Sequence, residues 1–490
     1  MSILIVVNSP ERWPLHVPGV ALVAARSYLT DPSFSERRGL KVFNLCRSYG
    51  YQSLGYYVSL LAEARGHRPQ PSVETIQGMK SQAVVRLVSD DVAELVRRSL
   101  APVRSDEYVL SVYFGRPLAL RNQRLALSLF NQFQAPLLRA RFRRDPEEGW
   151  QLTGIRPIPG NEIPESHRPF VVQAAEEYFK GRRFSPRRSR SARYDLAILH
   201  DPLEEYPPSN KRALSSFVRA AESVGLEGEL ITKDDYGRLS EFDALFIRTT
   251  TAVDHYTYRF ASRAQASGLV VIDDPRSIVR AANKVFQAEV LGRHGVPIPR
   301  TMIVHRDNVE RVAGELGLPC VLKQPDSAFS QGVSKVGTPE ELRQALERLL
   351  EESELVVAQA FVPTEYDWRV GVLDGHPLYA CRYYMAPGHW QIIKSEGSEA
   401  DFGRVETLAV EEAPKHVVRA AVRAARLIGD GLYGVDLKQY GRRCHVIEVN
   451  DNPNLDAGFE DRVLKQELYR RIMACFVGRI ERLKAPRARR

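Results

Sequence analysis

Hydrophobic residues recur along the first 180 positions at the spacings of strands and amphipathic helices. The apolar run 3–7 has the length of one strand. Apolar positions that return every three or four residues predict helices over 51–64, 91–99, 118–133 and 170–180. Together these elements predict a first α/β domain over residues 1–180.

A second alternation of strands and helices begins after residue 193. The predicted strands are 195–200, 229–231, 244–248 and 270–272, and the predicted helices are 210–224 and 256–267. Such alternation is typical of a mostly parallel sheet with helices on both faces. Longer helices and paired strands follow, ending in a predicted helix over 461–477. The pattern predicts an α/β domain over 194–280 and a further domain over 281–478.

Composition narrows the class of protein. The 490 residues, 44% hydrophobic and 26% charged, are enough for several folded domains. No apolar run approaches the ~20 residues that a bilayer requires. The five cysteines are widely spaced and form no CxxC motif, which argues against a disulfide framework and a structural zinc site. We therefore expect a cytoplasmic protein with no membrane partner.

The net charge of +9 is concentrated in two short segments. Ten arginines and lysines lie within 182–193 and 484–490. These ten positive charges are more than the net charge of the whole chain. We interpret these segments as parts of an exposed linker, 181–193, and a basic tail, 479–490. Affinity for nucleic acid is the alternative interpretation.

The familiar nucleotide-binding motifs are missing from the sequence. It contains neither the GxxxxGK[ST] pattern of a P-loop nor a GxGxxG pattern after a strand. An enzyme that uses ATP would therefore need a different phosphate-binding design.

Candidate metal ligands lie on two predicted strands near the C-terminal end of the sequence. Glu448 and Asn450 are two residues apart, which places them on one face of their strand. A turn at Gly441 would form a hairpin that brings Asp436 alongside them. Two carboxylates and an amide oxygen suit Mg²⁺ better than a soft metal. Surface carboxylates on an edge strand are the alternative.

Two lysines precede these residues. Lys323 lies in the apolar run 321–324, where a buried ammonium group needs an anion. The small residues at 327–334 form a loop whose N–H groups could surround phosphate oxygens. Lys284 begins a predicted helix, 283–294, and could equally be a solvated surface lysine.

A predicted strand over 354–362 could pair with the edge of an adenine through its free backbone groups. Arg369, Arg382 and Lys394 follow and supply further cations, although each taken alone could be a surface charge. Residues 383–391 are the candidate substrate-facing segment, and a packed hairpin is the alternative.

In chain order, these residues resemble the ATP-grasp superfamily and, within it, the RimK-like carboxylate–amine ligases. The resemblance covers about residues 195–478. Residues 1–180 resemble the RimK-like ATP-grasp N-terminal domain, on the stretches 42–49 and 56–67. The motifs that carry the C-terminal resemblance are Lys284, Lys323, the 327–332 loop, the 359–362 hinge, Asp367 with Arg369, Arg382, and Asp436 with Glu448-x-Asn450.

The resemblance implies an ATP-grasp fold, in which a pre-ATP-grasp α/β domain and two α+β lobes clamp ATP, preceded by a separate N-terminal α/β domain. The implied cofactors are ATP and two Mg²⁺ ions, for which Mn²⁺ can substitute. The residues that the resemblance implies for ATP binding are Lys284, Lys323, Gln331, Gly332, Gln359, Ala360, Phe361, Val362 and Asp367. The implied metal ligands are Asp436, Glu448 and Asn450. The implied catalytic residues are Arg369, Arg382 and Lys394. Ala360 stands where such enzymes often carry Glu, so a side-chain contact to the base would be lost.

The implied reaction joins a carboxylate to an amine through an acyl phosphate and releases ADP and phosphate. Glutamate or another amino acid is the expected substrate, and small amino acids or peptides are the expected partners. Two alternatives stay open: a glutamate ligase that modifies a protein tail, and a non-catalytic nucleotide-binding or RNA-associated scaffold. We do not expect nucleic acid as a partner, and a homo-oligomer is compatible with the sequence.

Overall fold

A computed structural model describes residues 3–13, 15, 17, 20–37, 40–146, 149–180, 192–326, 332–386, 390–396 and 399–485, with the backbone alone at 83, 84, 87, 90, 91, 180, 393–396 and 399–402. Residues 181–191 of the predicted linker lie outside the described residues. The chain divides into two compact units, Met1–Arg188 with Asp234–Glu241, and Ser189–Lys233 with Phe242–Arg490. In the part that the structure describes, no helix combines the length and apolar character needed to span a membrane.

The N-terminal unit contains two four-stranded sheets. Its elements are β1 (Ile3–Val7), β2 (Ala21–Ala24), α1 (Ala25–Thr30), α2 (Pro32–Glu36), β3 (Lys41–Asn44), α3 (Leu54–Ala64), β4 (Arg68–Gln70), α4 (Val73–Gly78), α5 (Gln82–Leu100), β5 (Glu107–Tyr113), β6 (Arg116–Pro117), α6 (Gln123–Gln132), β7 (Leu137–Asp145), β8 (Gly149–Pro157) and α7 (Arg168–Lys180). The first sheet, β2–β1–β3–β4, is parallel, and the second, β6–β5–β7–β8, is antiparallel.

All four predicted helices of this unit have different bounds in the structure: the predicted 118–133 is observed as α6, the predicted 170–180 as α7, and the other two differences have a clear physical reason. Helix α3 begins at Leu54 rather than at 51, because the Ser53 hydroxyl caps its first turn by accepting from the Tyr56 N–H. Helix α5 begins nine residues before the predicted 91. Its apolar stripe already includes Val85 and Val88, which pack in the core of the second sheet.

The segment Asp234–Glu241 was expected in the second domain, but it packs as part of the N-terminal unit. Its last residue explains this position. The buried carboxylate of Glu241 accepts a hydrogen bond from the Tyr178 hydroxyl at 2.9 Å and forms an ion pair with Lys41 at 3.3 Å.

The C-terminal unit holds the remaining strands and helices. They are β9 (Tyr194–Leu199), α8 (Lys211–Ser223), β10 (Leu226–Ile231), β11 (Ala244–Ile247), α9 (Tyr256–Ala266), β12 (Val270–Ile272), α10 (Pro275–Ala282), α11 (Lys284–Arg293), β13 (Thr301–Val304), α12 (Val312–Leu316), β14 (Cys320–Lys323), β15 (Val333–Val336), α13 (Pro339–Glu352), β16 (Val356–Ala360), β17 (Tyr366–Leu373), β18 (His376–Tyr384), β19 (Ile393–Glu396), β20 (Glu399–Phe402), β21 (Val405–Leu408), α14 (Lys415–Ile428), β22 (Leu432–Tyr440), β23 (Arg443–Asp451) and α15 (Gln466–Lys484).

The parallel sheet predicted after residue 193 is confirmed. Its order is β10–β9–β11–β12, and the paired strands are parallel throughout. Helices α8 and α15 share its core, where the ring of Phe217 lies 4.8 Å from Tyr469 and Phe476 lies 5.4 Å from Phe246. The domain that starts at β9 therefore uses a helix from the far end of the sequence.

Helix α15 differs at both ends from the predicted 461–477. It begins at Gln466, because Lys465 has a positive φ of 50° that interrupts helical geometry. It continues to Lys484 because Ile480 is buried in the same core and Lys484 forms an ion pair with Asp243 at 2.5 Å. The predicted basic tail thus begins inside a helix.

The described part of the C-terminal unit also contains the two-stranded antiparallel pair β19–β20 and two larger antiparallel sheets, and the two larger sheets position the site. The four-stranded sheet has the order β13–β16–β14–β15 and packs on α13. The five-stranded sheet has the order β21–β18–β17–β22–β23, and α14 covers one of its faces. The predicted hairpin is confirmed as β22 and β23, joined by a turn in which Gly441 has a φ of +59°.

Candidate active site

A cavity of about 2550 Å³ in the C-terminal unit lies between its sheets. Most of the residues predicted to bind ATP or metal, together with the predicted catalytic residue Arg369, line this one cavity. They are Lys284, Lys323, Gln359, Ala360, Phe361, Val362, Asp367, Arg369, Asp436, Glu448 and Asn450. Residues more than 160 positions apart are thus brought together by the two antiparallel sheets.

The predicted metal ligands form one corner of this cavity. Asp436 and Glu448 are direct partners across the β22–β23 hairpin. Arg369 on β17 donates from Nε and Nη2 to the two oxygens of Asp436, at 2.7 Å each, and Asn450 Nδ2 donates to Asp436 at 3.1 Å. Lys284 Nζ lies 3.2 Å from Glu448 Oε1. Each carboxylate therefore has one cationic partner.

These oxygen ligands fit Mg²⁺, which accepts carboxylates and completes its octahedron with phosphate oxygens and waters. Across the described ranges, no three His, Cys, Asp or Glu residues gather in a group that could hold a metal. A metal bound here would therefore draw on Asn450 and on the phosphates of a nucleotide as well as on Asp436 and Glu448.

Lys323 stands at the end of β14, buried as its apolar surroundings predict. Its Nζ donates to Gln359 Oε1 at 3.0 Å. Burial lowers the pKa of Lys323 to about 8, and the nearby ammonium groups of Lys284 and Lys438 act in the same direction against the attraction of Glu448. An anion placed here would restore the charge of the lysine.

Lys438 was given no role from the sequence, yet it lines the cavity with the other cations. Its Nζ donates to Asp367 Oδ1 at 2.6 Å and to Thr364 Oγ1 at 2.9 Å. Burial raises the pKa of Asp367, and the Lys438 ion pair opposes that rise. The two-residue spacing from Asp436 was the available signal, because it predicts that both side chains face the same way.

The predicted adenine hinge lies at the end of β16. The N–H of Ala360 donates to the carbonyl of Arg300 at 2.8 Å, so this donor is already used. Phe361 and Val362 follow on the cavity wall. The ring of Phe361 lies 4.0 Å from Lys335 Nζ and 6.1 Å from the ring of Trp390.

The structure does not bring Arg382 to the cavity with the other predicted residues. Its guanidinium lies over the rings of Trp368 and Tyr366, at 4.9 and 5.1 Å, and Nη1 lies 3.4 Å from Glu406. Successive residues of a strand face opposite sides of a sheet, and the next residue, Tyr383, faces the cavity. The geometry therefore does not support a catalytic role for Arg382.

Three more predicted residues, Gln331, Gly332 and Lys394, lie in or beside segments that the structure describes only in part. Gln331 and most of the 327–332 loop lie outside the described residues, and only the backbone of Lys394 is described, in β19. Gly332 has a φ of +68°, and its carbonyl accepts from the Gln324 N–H at 3.0 Å. This positive φ favours glycine at the turn, and a Cβ atom at Gly332 would also displace the flexible side chain of Gln324.

A buried arginine that was given no role from the sequence fixes the loop after the candidate metal ligands. Arg248 donates to Ser209 Oγ at 2.9 Å, to Asn452 Oδ1 at 2.7 Å and to the carbonyls of Pro453, at 2.8 Å, and Pro208. Burial lowers the pKa of Arg248 to about 10. A single arginine after an apolar strand gives no recognisable sequence signal.

Comparisons with known proteins agree with this fold. The RimK-like ATP-grasp domain matches residues 281–475, and the RimK-like ATPgrasp N-terminal domain matches residues 25–174. A probable alpha-L-glutamate ligase of Teredinibacter turnerae is 26% identical over 226 residues, which are 45% of this chain and 72% of the relative. A tetrahydromethanopterin:alpha-L-glutamate ligase of Methanosarcina acetivorans is 27% identical over 252 residues, 44% of this chain and 74% of the relative.

Among solved structures, a D-alanine–D-alanine ligase from Bacillus anthracis aligns with a TM-score of 0.46 and 15% identity. The alignment covers 59% of this chain and 98% of the ligase.

The cavity between two antiparallel sheets and the matched domain together define an ATP-grasp enzyme, a class that binds ATP. More particularly, the chain carries a RimK-like ATP-grasp domain at 281–475 and a RimK-like ATP-grasp N-terminal domain at 25–174. The predicted fold class and the predicted activity, an ADP-forming carboxylate–amine ligase, are confirmed.

Proposed function

We propose that this ligase uses L-glutamate as one of its two substrates, with a small amino acid or a peptide as the other. The names of the relatives in Teredinibacter turnerae and Methanosarcina acetivorans support glutamate. The observation that carries the reaction is that the cations Lys284, Lys323, Lys438 and Arg369 line the same cavity as the carboxylates Asp436 and Glu448.

The first step is attack of the substrate carboxylate on the γ-phosphate of ATP, which forms an acyl phosphate and ADP. Both reactants are anions, so their repulsion must be offset before they can approach in line. Lys284, Lys323 and Lys438 supply the fixed positive charge. Asp436, Glu448 and Asn450 would hold two Mg²⁺ ions, which neutralise and orient the phosphates when bound.

Arg369 is the guanidinium to which we assign an action on the reacting groups. It lines the cavity while its Nε and Nη2 are held by Asp436, so its orientation is fixed. A guanidinium in a fixed orientation can stabilise the oxyanion that develops when the amine attacks the acyl carbon.

The compartment that we propose is the cytoplasm, where ATP is abundant. All five cysteines are free, which is consistent with a reducing compartment.

The test is Mg²⁺-dependent ATP turnover against a panel of amino acids and short peptides, with ADP and AMP separated. We expect ADP and phosphate only when an acid–amine pair that includes L-glutamate is present. The Asp436→Asn variant, checked for unchanged thermal unfolding, is the control for activity that arises elsewhere. Release of AMP would contradict the acyl-phosphate route, and turnover that ignores L-glutamate would contradict the substrate.

A further inference from the structure

A buried carboxylate lies in the same cavity beyond Arg369. Glu460, in the segment between β23 and α15, is 3% exposed and lines the cavity. Its Oε1 accepts a hydrogen bond from the hydroxyl of Tyr383, and its Oε2 accepts from the Asp456 N–H at 2.7 Å. Each carboxylate oxygen can accept a second hydrogen bond, so Glu460 can still receive a donor from a ligand.

Direct contacts connect Glu460 to the proposed reaction centre. The ring of Tyr383 lies 5.0 Å from the guanidinium carbon of Arg369, and Arg369 in turn holds Asp436. Asp436, Arg369, Tyr383 and Glu460 therefore form a continuous row along the cavity wall. One aromatic side chain separates the carboxylate of Glu460 from the guanidinium that faces the acyl group.

We propose that Glu460 binds the amino group of the attacking substrate and accepts its proton, with Tyr383 as the residue that orients the carboxylate. This inference rests on the proposed function and names the subsite for a primary amine in it.

The charges along the cavity wall support a subsite for the amine that is separate from the subsite for ATP and the carboxylate. Lys284, Lys323, Lys438 and Arg369 attract ATP and a carboxylate, but they repel an incoming ammonium group. The carboxylate of Glu460, separated from Arg369 by the side chain of Tyr383, provides the opposite charge where the amine must enter. Burial raises the pKa of Glu460, which makes it a stronger base than an exposed carboxylate.

The proton balance of the step is complete. Two protons must leave the ammonium nitrogen before the product is a neutral amide. One passes to Glu460, which frees the nitrogen lone pair for attack on the acyl carbon, and Glu460 later releases that proton to solvent. As the nitrogen–carbon bond forms, the bond from the acyl carbon to the phosphate oxygen breaks. The departing phosphate takes the electron pair and the second proton.

The experiment separates formation of the acyl phosphate from attack by the amine. The carboxylate substrates are L-glutamate and L-glutamyl-L-glutamate, and the nucleophile is either L-glutamate or hydroxylamine. Hydroxylamine is largely unprotonated at neutral pH and needs no base. Glu460→Gln should lower peptide formation roughly 10²-fold or more, while hydroxamate formation stays within about threefold of the unmodified protein.

Control variants make the result specific. Tyr383→Phe removes the donor to Oε1 and should lower peptide formation about tenfold, again with little change in hydroxamate. Glu467→Gln makes the same chemical change at an exposed ion pair of α15 and should leave both products unchanged. Thermal unfolding checks the fold of each variant, and Tyr383→Phe decides the proposal if Glu460→Gln does not fold.

Equal losses of peptide and hydroxamate would overturn the role of Glu460 while the proposed function stands. Absence of hydroxamate from the unmodified protein with both carboxylates, and also with every amino acid and short peptide of the turnover panel as the carboxylate, would instead contradict the proposed function.

Discussion

The two faces of the five-stranded sheet carry one arginine each, in contrasting surroundings. On the cavity face, Arg369 holds the carboxylate of Asp436 through two hydrogen bonds of 2.7 Å. On the opposite face, Arg382 covers the rings of Trp368 and Tyr366 and lies near Glu406. Both side chains are partly buried, both contact an acid and both lie near aromatic rings.

The contrast shows that an arginine's immediate contacts do not reveal whether it takes part in chemistry. The two arginines differ in the face of the sheet that they occupy. Arg369 shares a cavity with lysines and candidate metal ligands, whereas Arg382 helps cover a hydrophobic core. Variants that make the same chemical change on both faces therefore test the distinction directly.

The largest difference is expected between two glutamates. Glu448→Gln on the cavity face removes a candidate metal ligand and should lower ATP turnover roughly 10³-fold or more. Glu406→Gln makes the same change on the opposite face, where Glu406 contacts Arg382 and Tyr384, and should leave turnover within about twofold. Steady-state ADP release and thermal unfolding check both variants, and equal losses would remove the distinction between the faces.

The two arginines should differ next most. Arg369→Lys cannot reproduce the two-point contact with Asp436, so kcat should fall about 10²-fold with little change in the KM for ATP. Arg382→Lys should leave kcat unchanged and lower the free energy of unfolding by about 1 kcal/mol, because it weakens the contacts with two rings. A larger loss of kcat in Arg382→Lys would restore a catalytic role to that residue.

The smallest expected effect concerns a single group in the cavity, the ammonium group of Lys323. Because the pKa of Lys323 is lowered to about 8, its ammonium form is complete well below pH 8 and is lost as the pH rises through 8. Phosphate binding favours the charged form, so ATP binding should take up protons near pH 8 and weaken above it. Calorimetry in buffers of different ionisation enthalpy measures this uptake.

The Lys323→Arg variant keeps its positive charge below and above pH 8, so ATP binding to this variant should take up no proton. An uptake that persists in this variant would show that another group takes the proton.

Much of the site followed from the sequence because local rules determine it. The two-residue spacing of Glu448 and Asn450, with a turn at Gly441, predicted a hairpin that places Asp436 beside them, and the structure has that hairpin. Lys323 was predicted to be buried because its neighbours are apolar, and it is. Strand length and side-chain alternation were sufficient for these positions.

The face that Arg382 occupies could not be predicted in the same way. It depends on the pairing of β17 with β18, and this pairing shifts between Gly371 and Val372. A shift of one residue moves every later side chain to the other side of the sheet. The partners of Arg248 and Glu460 are likewise set by contacts between distant segments, which no local pattern records.

The core shared by helices α8 and α15 has a consequence for the order in which the chain is made. About 240 residues separate the end of α8 at Ser223 from the start of α15 at Gln466. At 5–20 residues per second, a ribosome needs roughly 10 to 50 s to add them. During that interval the apolar surface around Phe217 has no Tyr469 to cover it, so the nascent chain exposes a surface that chaperones can bind.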